Sequence, residues 1–210
     1  MPSEPAGRPE LALVEVDGRR VRVREQGEGP AVVAVGGGDG SAAAERELVP
    51  RFRVLALRLE DPDGAPPDGA RALAGAAWAL RLDRFSVLGV GAGAVPALWL
   101  ALEAQARVER LVLVSPAAAP GAGLDPELEG RLAQLRVPTL VVEGTDDQTA
   151  SAGAGRRFQE RLPTCFQVLV YEAGPEVARD RPAAFVSVVG DFLHWGERFT
   201  VSHRRQALNP

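Results

Sequence analysis

Six short, nearly continuous apolar runs, each followed by a helix-like stretch, constrain the fold of this chain more than any other feature. The runs are residues 30–35, 52–57, 85–88, 108–114, 139–142 and 166–171. A strand apolar on both faces is covered on both faces, and parallel neighbours need a crossover between them. The stretches between the runs supply the crossovers: 41–48, 68–82, 92–106, 125–135, 153–162 and, at the end, 181–199 all read as helices. Ser41 is the expected cap of the first; Asp125, with Pro126 behind it, is the expected cap of the fourth. Ahead of the runs, residues 11–16 and 19–25 alternate around Asp17-Gly18, which predicts an antiparallel hairpin with an Asp-Gly turn. The sum is one α/β domain over residues 10–199, with about eight mostly parallel strands and helices on both faces. A flexible N-terminus (1–9) and a polar tail (200–210) are expected to flank it.

Composition removes several kinds of chemistry. All 24 basic residues are arginine, and the chain holds neither lysine nor isoleucine, a bias that codon usage in a GC-rich bacterial genome explains. Without lysine there is no Schiff base, no pyridoxal-phosphate anchor and no P-loop. The net charge of −4 leaves no basic footprint for nucleic acid. Cys165 is the single cysteine, so no intrachain disulfide and no cysteine-based zinc site can form, and an inert core thiol is expected. Residues 1–10 lack the apolar core of a signal peptide, and the longest apolar stretch, 89–102, is shorter than the ~20 residues a bilayer requires. A cytoplasmic location without membrane insertion is the expectation.

The residues that bear on function surround a glycine turn. Leu88-Gly89-Val90-Gly91-Ala92-Gly93-Ala94 joins a strand to a helix with the spacing G-x-S-x-G, but glycine stands in the serine position. The same residues, as Gly89-x-Gly91-x-x-Ala94, also fit a dinucleotide-binding turn, although the next strand ends Val112-Leu113-Val114-Ser115 without the acidic residue such a site uses for the ribose.

The element order and its landmarks resemble the α/β-hydrolase fold over nearly the whole chain, residues 11–199. Val33-Ala34-Val35-Gly36-Gly37 resembles the strand and loop that supply an oxyanion-hole N–H. Arg53-Val54-Leu55-Ala56-Leu57 resembles the next strand, and Leu82 to Gly89 the approach to the nucleophile turn. Val108 to Pro116 is similar to the strand after the nucleophile helix, and Arg136 to Asp147 to the acid-bearing strand. The resemblance implies Gly91 at the nucleophile position, Pro175 at the histidine position within Tyr171-Glu172-Ala173-Gly174-Pro175, and Asp147 at the acid position. Gly36 replaces the histidine of the family's His-Gly pair, Arg58 stands where an aspartate often ends the second parallel strand, and the cap is reduced to residues 117–123. Residues 16–29 also resemble hydrolase-like domains fused in acyltransferase components of dehydrogenase complexes.

Serine hydrolysis needs a nucleophile, a base and a group that orients the base. Glycine and proline supply neither of the first two. His194, inside the last helix, and His203, in the tail, are read as packed or solvated; Ser115 is read as the end of a strand. Asp146 and Asp147 are read as a vestigial acid and a helix cap before residues 149–157, and the acidic loop of Glu60, Asp61 and Asp63 lacks the spacing of a calcium loop. What survives is backbone: the N–H groups of Gly37, Gly38 and Ala92 can form an anion-binding nest. The expectation is a pseudo-enzyme with no cofactor and no metal, acting through a protein partner, a second copy or a small carboxylate or acyl ligand. The alternatives are altered, non-serine chemistry on the same scaffold and dinucleotide binding.

Overall fold

Asp17 and Gly18 both take left-handed backbone angles, with φ of 48° and 75°, the geometry that lets a two-residue turn follow the twist of its strands. The turn closes an antiparallel hairpin of β1 (Glu10–Val16) and β2 (Arg19–Gln26) in unbroken register from Glu10↔Glu25 to Val16↔Arg19. The computed structural model describes residues 10–36, 38–61, 66–148 and 153–199; the expected flexible N-terminus and the polar tail lie outside them.

The six apolar runs become β3 (Ala31–Val35), β4 (Arg53–Leu59), β5 (Phe85–Val90), β6 (Val108–Val114), β7 (Thr139–Gly144) and β8 (Cys165–Val170). The sheet order is β1-β2-β4-β3-β5-β6-β7-β8. β2 pairs antiparallel with β4, and every later pair is parallel. This eight-stranded sheet with its N-terminal hairpin is the α/β-hydrolase-like fold expected from the sequence.

Helices cover both faces because alternate residues of each inner strand are apolar on both sides. On one face α2 (Pro66–Ala79), α3 (Ala94–Glu103), α4 (Pro126–Arg131) and α5 (Ala154–Gln159) bury Leu73, Leu98, Leu128 and Phe158 against Val33, Leu55, Val87 and Leu113. On the other, α1 (Asp39–Leu48), α6 (Val177–Asp180) and α7 (Pro182–Trp195) bury Leu48, Val177, Phe185 and Phe192 against Val32, Val54, Leu88 and Val112. Asp125 caps α4 as expected, accepting from the N–H groups of Glu127 and Leu128.

One capping expectation is corrected. Helix α1 begins at Asp39, after Gly38, so Ser41 sits inside its first turn and donates instead to Glu45 Oε1 at 2.9 Å. The cap expected of Asp146 and Asp147 falls on residues 149–152, outside the described residues; helix α5 begins later, at Ala154, and its first N–H groups donate to Glu143, at 2.9 Å from Ala154 and 3.0 Å from Gly155. The desolvation of that buried carboxylate is offset by those charge-assisted bonds.

The chain leaves β3 through α1 toward one face and β5 through α3 toward the other. Adjacent strands with diverging connections open a crevice at their carboxyl ends, where this class of fold places its ligands. Among the described residues no helix is long and apolar enough to cross a membrane.

Candidate functional site

The crevice floor is the glycine turn. Gly91 opens a 3-10 turn (Gly91–Gly93) that runs into α3, with φ of 56°. A Cβ built on Gly91 meets nothing within 4 Å, whereas one on Gly93 runs into the Val35 carbonyl oxygen and one on Gly89 comes within 2.7 Å of Ala97 Cβ. The outer glycines are therefore demanded by the close passage of α3 over β3 and β5. The middle one is demanded only by its left-handed angle, a strain that a functional side chain can also carry. The main chain at Gly91 is left-handed, with empty space where a side chain would project.

Several loops meet at this turn. Gly36, just past β3 with φ of 122°, packs against Gly93, a Cβ there falling 3.0 Å from Gly93 Cα. The Gly91 carbonyl oxygen accepts from Ala117 N–H at 3.1 Å, which ties the loop after β6 to the turn. That loop closes on itself through the mutual Ala119–Ala122 backbone bonds of 3.0 and 2.8 Å and then enters α4, so the cap is a tight turn with no helix of its own.

The loops after β7 and β8 are stitched together. Asp146 N–H donates to Ala173 O at 2.9 Å, Thr145 N–H to Val170 O at 3.0 Å, and Glu172 N–H to Thr145 Oγ1 at 3.0 Å. Asp147, expected at the acid position, is buried, and Pro175, expected at the histidine position, is exposed in the loop after β8. Of the expected backbone donors, Ala92 and Gly38 are exposed at the carboxyl edge, each at the start of a helix where N–H groups lack an i−4 acceptor. Gly37 lies outside the described residues, as do Asp63 and His203.

Other candidates have structural employment. His194 is exposed on α7, its ring edge-on to Trp195 at 4.3 Å. Glu60 pairs with Arg20 and Arg22, and Asp61 with Arg20; among the described residues no group of three or more candidate ligands is placed to hold a metal ion. Arg58 donates to Glu45 Oε1 at 3.2 Å, and Arg24 makes a short contact to Glu45 Oε2. The buried Glu45 thus fixes α1 to β2 and β4 beside the crevice. Cys165 is half-buried, and burial, with the Glu143 carboxylate beside it, pushes its thiol up to about 12, which makes it a poor nucleophile at neutral pH.

Two residues carry more than their sequence signals indicated. Ser115 is buried at the end of β6 with φ of 41°, and its Oγ has no hydrogen-bond partner among the described residues. Ser115 follows the end of β6 as read from the sequence, and its strain and unsatisfied hydroxyl beside the glycine turn make it a candidate site residue. Glu176 follows Pro175, and its stem lies against the start of α1 and Val90: a Cβ on Gly40 meets Glu176 Cγ at 3.7 Å. Its carboxylate is paired with Arg179. Sequence places Ser115 at the end of a strand on the carboxyl side, but its strain, like the position of Glu176, depends on loop packing.

Solved structures share this fold. A predicted CIB-like hydrolase from Thermoplasma acidophilum superposes with a TM-score of 0.73 at 18% identity, over 90% of this chain and 99% of that one. Carboxylesterase CesB from Bacillus subtilis gives 0.74 at 16% identity, over 90% and 92%. An N-acyl homoserine lactone degrading enzyme gives 0.73 at 17% identity, over 86% and 100%. At such identities the likeness is one of fold. No protein-family model matches the chain, and no curated protein matches it.

Proposed function

We propose that this chain is a pseudo-enzyme of the α/β-hydrolase type that acts by binding, as a subunit or scaffold of an assembly or as a receptor for a small carboxylate or acyl group, in the cytoplasm. One observation carries the reading: at Gly91 the turn keeps its left-handed backbone and the space for a side chain, but supplies no nucleophile. Pro175 removes the base, so the first proton transfer of acyl hydrolysis has neither donor nor acceptor. The N–H groups of Ala92 and Gly38 remain as donors to a carboxylate held over the turn without attack upon it. No cofactor enters this reading.

A second reading, altered chemistry on the same scaffold, draws support from Ser115, whose buried hydroxyl sits beside the turn, and from the retained Asp147. One experiment separates the two. The purified chain is assayed with p-nitrophenyl butyrate and titrated with butyrate while the backbone amides are followed by NMR. Binding predicts no hydrolysis above the buffer rate and saturable shifts at Ala92 and Gly38. Hydrolysis that disappears in Asp147→Asn or Ser115→Ala overturns it in favour of catalysis.

A further inference from the structure

The amino end of the sheet, away from the glycine turn, holds a second concavity. Phe85 opens β5 and Gly91 follows its end, so the length of the strand, about 20 Å, separates the two places. A cavity of about 350 Å³ lies between the last turns of α2 and α3, at the lower end of the ~300–1,000 Å³ of small-molecule sites. Ala74, Gly75 and Ala104 give it walls without bulk, and the buried Phe85 adds an aromatic surface. Trp78 lines it while 65% exposed. The Arg107 guanidinium carbon sits 3.5 Å from the Trp78 ring centre, and Arg107 Nη1 donates to Leu82 O at 3.3 Å.

Charge decides what such a cavity takes. Glu103, on the same lining, is already shared by Arg131 at 3.0 Å and Arg71 at 3.8 Å, so a cation would meet three arginines around one engaged carboxylate. Arg107 has no carboxylate partner among the described residues. Stacking on an indole and one bond to a carbonyl fix its position without neutralising it. Its Nε and Nη2 N–H groups have no acceptor among the described residues, and a guanidinium edge of this kind grips a carboxylate in two parallel bonds. The carbonyls that end α2 do not oppose an anion, because those of Ala76, Ala77 and Trp78 accept from Leu80, Leu82 and Arg81.

We propose that this cavity binds a small aromatic carboxylate, its ring slotted between the alanine walls and the rings of Trp78 and Phe85 and its carboxylate held by Arg107. A flat ring suits walls of single methyl groups and pairs with aromatic neighbours edge-on or offset. A flexible chain would lose more rotamer freedom there for the same apolar area. The site is separate from the glycine turn, and the inference does not depend on what binds at Gly91.

Titration of the full chain with 1-naphthoate tests it, followed through the indole Nε1–H NMR signals of the three tryptophans. The expected result is a saturable shift at Trp78 with a Kd below ~1 mM, while Trp99, buried in α3, and Trp195, on α7, do not move. 1-Naphthylmethanol, the same ring without the charge, is expected to bind about tenfold more weakly. Arg107→Met keeps an unbranched stem against the indole and removes the charge; it is expected to weaken naphthoate about tenfold and leave naphthylmethanol unchanged. Ala74→Leu fills the cavity from the α2 side and is expected to abolish binding of both probes with circular dichroism unchanged, which keeps the test decisive if Arg107→Met does not fold. No saturable shift at Trp78 up to ~5 mM, equal affinity for the two probes, or shifts confined to Ala92 and Gly38 at the glycine turn overturns the proposal.

Discussion

Gly91 and Gly93 are two residues apart and respond in opposite ways to an added side chain. Gly91 has room but an angle that L-residues resist; Gly93 has an ordinary angle, φ −67°, but no room. Gly91→Ser is therefore expected to fold and to cost about 1 kcal/mol, the strain of a non-glycine residue in the left-handed region. Gly93→Ala pushes a methyl group into the Val35 carbonyl and is expected to cost about 3 kcal/mol, at the upper end for overpacking, because backbone cannot turn aside as a side chain can. Urea denaturation of the two variants measures both. Equal costs would mean that the turn relaxes, and that its retained shape carries no message about ligand or ancestry. The asymmetry is also why the turn was partly legible in sequence: the G-x-G-x-G spacing recorded the packing demand at 89 and 93, and the glycine at 91 marked the one position of the three with room for a side chain. The strained Ser115 left no such trace, since a serine ending a strand is common whatever its φ.

At the scale of elements, short-range signals were reliable where they acted alone and misleading where a distant group outcompeted them. Asp17-Gly18 and Asp125-Pro126 bond only to their neighbours, and the structure agrees with both. Ser41 has the right chemistry for a cap but bonds forward to Glu45, because Glu45 is buried and held between Arg24 and Arg58, residues brought close only by the sheet. Helix α6, four residues long, carries too little periodicity to be read at all. Helix α5 shows most clearly a helix start held by a group from a distant strand. Glu143 accepts from Ala154 N, Gly155 N and Gln167 Nε2, the last at 2.8 Å, with only 1% exposure. Glu143→Ala leaves three donors without an acceptor and is expected to cost about 3 kcal/mol; Glu143→Gln, which keeps an acceptor oxygen but loses the charge, should cost about half that. The discriminating readout is hydrogen exchange at the Ala154 and Gly155 amides, which should accelerate in both variants before global unfolding does. If those amides stay protected in Glu143→Ala, the cap of α5 is elsewhere.

Over the whole molecule, one sheet separates two apolar layers that share no helix. Leu98 of α3 belongs to one and Phe192 of α7 to the other, and both are fully buried. The layers nevertheless rest on the same strands: β5 turns Val87 into the first and Leu88 into the second. Neither layer can come apart without exposing the strands that the other needs, so unfolding should be a single cooperative event rather than the loss of one helical layer at a time. Leu98→Ala and Phe192→Ala are each expected to cost about 3 kcal/mol from lost contacts and residual cavity. For a chain of this size that lowers the melting temperature by roughly 6–12 °C. Because the two sites share no partner across the sheet, the double variant should show the sum of the two losses within about 0.5 kcal/mol. Differential scanning calorimetry decides the matter: one transition, moved by either substitution, fits a single cooperative domain. Two transitions, each moved by only one substitution, would mean that the layers melt separately, and the crevice at β3 and β5, built from loops of both, would then open before the molecule unfolds.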